Sequence, residues 1–154
     1  MSLPGSKRRA TLGALLCGLA LTAAVWAVLI EPGLVKLREV RIATERWPTG
    51  KTPLRIAVLG DLHVGAPHID LAKLDEVVAR VNAGRPDLVV LLGDYVIHGV
   101  PFGRFVETDA TAGSLAALES RYGTFAVLGN HDWRHDGPGI RRAFESHGIV
   151  VLDN

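Results

Sequence analysis

Cysteine is nearly absent from this chain. Cys17 is the only one in 154 residues, which excludes an intramolecular disulfide and any zinc cluster built on cysteine. An excess of one charge sign is missing too. The net charge is +1, so the balance carries no electrostatic footprint for nucleic acid. There is no Gly-x-x-x-x-Gly-Lys-Ser/Thr loop and no Gly-x-Gly-x-x-Gly turn, which disfavours a nucleotide-binding α/β module. Internal repeats and low-complexity blocks are also lacking.

What is abundant is apolar surface. The 48% hydrophobic content and mean hydropathy of +0.24 are high for a soluble domain. Part of the excess lies in Ala10–Ile30, a run without a charged residue. It matches the roughly 20 residues a helix needs to cross a bilayer. A buried core helix would show a polar face, and this run has none. Lys7, Arg8 and Arg9 precede it, giving a signal anchor with residues 1–9 as a cytoplasmic basic tail. A cleaved signal peptide competes, because Val25-Trp26-Ala27 is a passable cleavage site, but the run is long for such a segment. Lys36, Arg38, Arg41, Arg46 and Lys51 follow the run and weaken the charge contrast that sets orientation.

Glu31-Pro32-Gly33 ends that helix, and residues 31–53 read as a linker with a first strand. Within it, Val35–Ala43 alternates apolar and charged residues, predicting a strand with one polar face and a bulge near Glu39. From residue 54 the pattern becomes strand, helix, strand. Leu54–Gly60 is an apolar run of buried-strand type. Asp70 is a helix N-cap, and Leu71, Leu74, Val77, Val78 and Val81 recur at helical spacing up to Asn82-Ala83-Gly84. Asp87–Leu92 is the next strand, so the order implies a parallel crossover. A long irregular stretch from Tyr95 to Asp109 precedes a helix over Ala110–Ser120 and a strand over Thr124–Leu128. Pro138 fits the first turn of a last helix with Ile140, Ala143 and Phe144 on its apolar face. Gly148 stops it, and Ile149–Leu152 begins another strand.

The three central strands share one feature. Each delivers metal-type ligands just after its C-terminal end, with glycine alongside: Asp61-Leu62-His63, Gly93-Asp94 and Gly129-Asn130-His131-Asp132. In open α/β sheets this end is where sites form. Carboxylate, imidazole and amide donors together suit divalent transition metals. Singly, an Asp-x-His or a Gly-Asp is most often turn chemistry; in this order on three strand ends they point to a metal site.

On those motifs the chain resembles the N-terminal half of a calcineurin-like metallophosphoesterase, over about Val35 to Asn154. The N-terminal segment, Glu31-Pro32 and His131-Asp132-Trp133 resemble the bacterial membrane-associated branch. The resemblance implies an α/β fold of two packed sheets flanked by helices, with residues 54–154 a partial domain after one transmembrane helix. It implies two divalent ions, of manganese, iron or zinc, that activate a hydroxide for attack on phosphorus. Asp61 and His63 would bind the first ion, Asp94 would bridge, and Asn130 would bind the second. His131 would contact the phosphate and assist the leaving group. The substrate would be a phosphodiester or pyrophosphate, with a lipid-linked one fitting the anchor, and no nucleic acid is called for. The place implied is the bacterial cytoplasmic membrane, single-pass, with the domain outside.

The departure is equally specific. The family adds a histidine on a later strand and a Gly-His-x-His segment, and nothing after Gly148 supplies them. His68, His98, His135 and His147 read as surface histidines, with His135 the nearest outside candidate. A non-catalytic or weakly active membrane-anchored fragment is therefore the alternative to the hydrolase. One sheet face, left without its second sheet, is expected to be apolar and open.

Overall fold

The fold is built from short apolar segments that each find a neighbour. The structure, a computed structural model, describes residues 4–48 and 50–153. It divides into two units, residues 1–36 and 37–154.

In the first unit, α1 (Pro4–Val25) is followed directly by a π-helical turn over Trp26–Ile30 and a 3-10 turn over Glu31–Gly33. Pro32 stands in the first turn of that last piece, and Leu34 is already extended. The stretch Lys7–Gly33, with mean hydropathy 2.3, is long and apolar enough to cross a membrane. The most apolar part of that stretch is unburied, as expected of a helix whose partner is lipid.

The second unit is one four-stranded parallel sheet with helices on one face. The strands are β1 (Ile56–Leu59), β2 (Leu88–Leu91), β3 (Thr124–Ala126) and β4 (Val150–Val151), lying side by side in chain order. The expected parallel crossover is present: Ile56 registers with Leu88 and Leu59 with Leu91. Helices α2 (Leu71–Ala83), α3 (Thr108–Ala116) and α4 (Asn130–Ser146) connect them.

Period-two alternation sorts the strand residues onto two faces. Leu59, Leu91, Ala126 and Val151 share one register row and are all buried. They meet Leu74 and Val78 of α2, Leu115 of α3, and Ile140 and Phe144 of α4 in one core. The adjacent row holds Val58, Val90, Phe125 and Val150. There Val58 is 59% exposed and Val150 48%, with Ile56 and Leu92 similarly open. The strands are apolar on both faces, but only one face is covered. The open apolar face expected from the sequence is thus present, and among the described residues there is one sheet.

Two expectations are corrected. Val35–Ala43 forms no strand. Its alternation had no ladder to join: Leu37, Val40 and Ile42 are all more than half exposed. Alternation proposes a strand, but only paired N–H and C=O groups make one. The last helix also starts earlier than Pro138. Asn130 already opens α4, and the helix kinks at Asp136 (φ −161°, ψ 76°). Asp136 then caps the renewed helix by accepting from the Gly139 amide at 3.0 Å. Pro138 falls in that new first turn, where its missing N–H removes no helical bond.

Elsewhere local chemistry is as read. The Asp70 side chain accepts from the Lys73 amide at 2.8 Å and starts α2. At the far end Asn82 donates to the Ala117 carbonyl and accepts from the Glu119 amide, tying α2 to the segment after α3.

Candidate metal centre

The site is made of three loops at the C-terminal edge of the sheet, held by backbone bonds. After β1 the chain turns through Asp61 (φ 51°) and His63 (φ 43°), and after β2 through Asp94 (φ 57°), all in the left-handed region. Aspartate and histidine are among the few side chains that tolerate it, at a cost of about 1–2 kcal/mol each. The turns are fixed by mutual pairing. The Asp61 amide donates to the Gly93 carbonyl (3.1 Å), His63 to Asp94 (2.9 Å) and Val64 to Tyr95 (2.8 Å). The Asp61 and Asp94 loops are thus one zippered unit.

Glycine allows the third loop to close on the second. A Cβ at Gly93 (φ 96°) would collide with the Gly129 backbone, and a Cβ at Gly129 would collide with Asp94. The Asp94 carboxylate accepts from the His131 amide at 2.9 Å. That bond holds one oxygen at the start of α4.

The resulting donor group is tight. One ligand atom each from His63, Asp94 and His131 lies within 4.8 Å of the others. The two imidazoles meet edge to face, 4.9 Å between ring centroids. Asp61 joins from the solvent side, its Oδ1 3.8 Å from His63 Nε2. Asn130 is the first residue of α4 and is exposed. Of the five residues expected in the site, the structure gathers His63, Asp94 and His131 most closely, with Asp61 beside them and Asn130 adjacent in sequence to His131. His131 stands inside the donor group. Carboxylate plus imidazole nitrogens at this spacing fit a divalent transition metal. His68 and His147 lie elsewhere; His147 caps α4 and pairs with Asp109 at 3.1 Å. His135, the nearest outside candidate, lies on α4 beside His98, ring centroids 6.1 Å apart.

One residue of the motifs had no assigned role and turns out to organise them. Asp132 is fully buried. Its Oδ2 accepts from the amides of Asp94 and Gly129, both at 2.8 Å, and its Oδ1 from Tyr95 at 2.9 Å. The Gly129 bond is the backward half of a capping box, third helical position to N-cap. That spacing was the available signal. The bonds to Asp94 and Tyr95 span the chain and carry no local signal. Tyr95, also buried, donates its hydroxyl to the Val127 carbonyl at 2.7 Å and packs on Phe144. Burial, reinforced by the Asp132 charge, pushes the phenol's pKa up and keeps it neutral.

With this geometry in hand, comparison with known proteins is decisive. Residues 54–152 match the calcineurin-like phosphoesterase family. The chain belongs to that family. A transmembrane protein with metallophosphoesterase domain from Danio rerio is 34% identical over 84% of this chain and 30% of its own length. Phosphodiesterase YaeI of Escherichia coli is 33% identical over 80% of this chain and 44% of its own. UDP-2,3-diacylglucosamine pyrophosphatase LpxG of Chlamydia muridarum is 29% identical over 71% and 32%. This calcineurin-like chain spans less than half the length of each. No solved structure gives a significant match. The matched segment of the phosphoesterase family contains all three candidate loops and the helices that follow them.

Proposed function

We propose that this chain carries the metal corner of a membrane-anchored phosphoesterase that hydrolyses phosphodiesters or pyrophosphates. The observation that carries the reading is the donor group His63, Asp94 and His131 at the ends of β1, β2 and β3. The similarity to a phosphodiesterase and to a pyrophosphatase supports the reaction class. The latter's name, with its diacylated sugar nucleotide, supports a lipid-linked substrate.

The residues take these roles. Asp61 and His63 would hold one divalent ion, Asp94 would be shared with a second, and Asn130 would offer its amide oxygen to that second ion. Manganese, iron and zinc all suit this donor set. When bound, the ions supply charge neutralisation and Lewis acidity at a phosphoryl oxygen. The His131 amide fixes the Asp94 carboxylate beside His63 and His131, which supports a shared-ligand role for it. His131 orients the phosphate and hands a proton to the departing oxygen, a task imidazole performs near neutral pH.

The N-terminal helix is the anchor in the bacterial cytoplasmic membrane, with the basic tail inside and the domain outside. A reporter fused at residue 154 tests this; activity only in the cytoplasm reverses it. For the site, Asp94→Asn and the parent are compared by metal analysis after equilibration with manganese. The variant is expected to hold less than half the metal. Equal content in both removes Asp94 from the site, and a parent that takes up no metal leaves the non-catalytic alternative standing.

A further inference from the structure

Beside the donor group the surface opens into a cleft that changes character along its length. Its near end, about 330 Å³, is lined by His98, His131, Arg134 and His135. Its far end, about 390 Å³, shares His98 and His135 and is otherwise walled by Ile97, Val100 and Phe105 with Gly99 and Gly103. Both volumes are of ligand size. His131 belongs to the near end and to the donor group, so the cleft begins where the metal corner stops. Among the described residues, no carboxylate pairs with Arg134.

The apolar wall is fixed in place. The Arg104 amide donates to the Gly65 carbonyl at 2.8 Å, and Gly103 donates to Val100 at 3.0 Å. A Cβ at Gly103 would meet the tip of Ile97 at 2.7 Å. The wall loop is therefore stitched to the loop that carries Asp61 and His63. Phe105 lies 5.0 Å from His135, centroid to centroid, which joins the apolar end to the basic one.

We infer that this cleft is the substrate subsite for an amphiphilic phosphoester: Arg134, His98 and His135 receive the outer oxygens of its phosphate, and Ile97, Val100 and Phe105 receive the start of its hydrocarbon chain. The ordering of the lining supports it. Arg134, which pairs with no carboxylate among the described residues, lines the end next to the donor group, and the lining further out is mostly hydrocarbon. Arginine matches phosphate oxygens in pairs, and each methylene covered by the wall adds affinity. A purely polar ester would leave that wall wet. The inference rests on the phosphate-binding reading of the metal corner.

The test is equilibrium binding of two phosphate probes, methyl phosphate and hexyl phosphate, to the full chain in lipid nanodiscs loaded with manganese. Empty nanodiscs are subtracted. Hexyl phosphate is expected to bind about tenfold tighter or more, since several methylenes leave water. Phe105→Ser with Val100→Ser is expected to bring that ratio to within about threefold, consistent with the loss of most of the covered hydrocarbon. Val100→Asp, a single change at an exposed loop position, reads the same wall and should also reduce the ratio. Arg134→Gln should weaken both probes by about fivefold, the loss of one charge-assisted contact. Equal affinity of the parent for both probes overturns the subsite and leaves the metal corner intact. A hexyl advantage that survives both wall variants places the hydrocarbon elsewhere and overturns it too. Failure of both probes to bind removes the phosphate-binding reading, and the subsite falls with it.

Discussion

The carboxylate of Asp132 accepts a 2.8 Å hydrogen bond from the amide of Asp94, 38 residues away in sequence. Through it the first turn of α4 sets the backbone that presents the central metal-type carboxylate. The same side chain closes its own helix start at Gly129. A fully buried residue thus holds two of the candidate loops in register.

Asp132→Ala is expected to destabilise the domain by about 3 kcal/mol or more. Hydrogen bonds to a charged group contribute about 1.5–3 kcal/mol each, and the buried amides would be left unpaired. Denaturant unfolding measures it. Asp132→Asn should lose less, because one acceptor remains. Metal retention should fall with stability in both; a variant that loses stability but keeps full metal affinity would separate bracing from binding.

Three glycines give contrasting outcomes. Gly93→Ala combines a positive φ with a collision against Gly129, and should cost about 2 kcal/mol or more. Gly129→Ala should displace Asp94 and reduce metal binding more than its stability loss alone accounts for. Gly113→Ala, within α3, meets only His147 at an ordinary 3.6 Å. It should raise stability by about 0.5–1 kcal/mol through helix propensity. Thermal melts of the three variants check the order.

His131→Ala is expected to lower phosphodiester turnover by about 10²–10⁴-fold, the range for lost general acid catalysis, while most of the metal stays bound. Turnover and metal content are measured on one preparation. Full turnover removes His131 from proton transfer. Loss of metal in step with turnover makes it a ligand, as its place inside the donor group allows.

The open sheet face predicts self-association. Val58→Thr with Val150→Thr keeps β-branching and should reduce light scattering and binding of an apolar dye. Both positions are about half exposed, so stability should change by less than about 1 kcal/mol. Unchanged scattering would place the sticky surface elsewhere.

Much of this was legible in the residues, for identifiable reasons. Leu71, Leu74 and Val78 announce α2 because helical spacing is local, and Asp70 announces its start because a cap acts over three residues. The three loops stand out as a candidate site because metal-type side chains seldom recur after three apolar runs. The role of Asp132 was not, since its bonds to Asp94 and Tyr95 join loops that meet only after folding. Val35–Ala43 misled for the same reason in reverse, having the pattern of a strand and no partner. The early start of α4 was hidden because Gly129 offers no capping side chain of its own.

The sheet is laid down in chain order, each strand beside the one made just before it. The domain can therefore grow vectorially during synthesis, one strand and one covering helix at a time. Its metal corner cannot. Residues 61–64 can lie against 93–96 as soon as both leave the ribosome, but the pair has no brace until Asp132 follows. A pause in translation between residues 96 and 132 would hold the nascent chain with its ligand loops paired and unbraced.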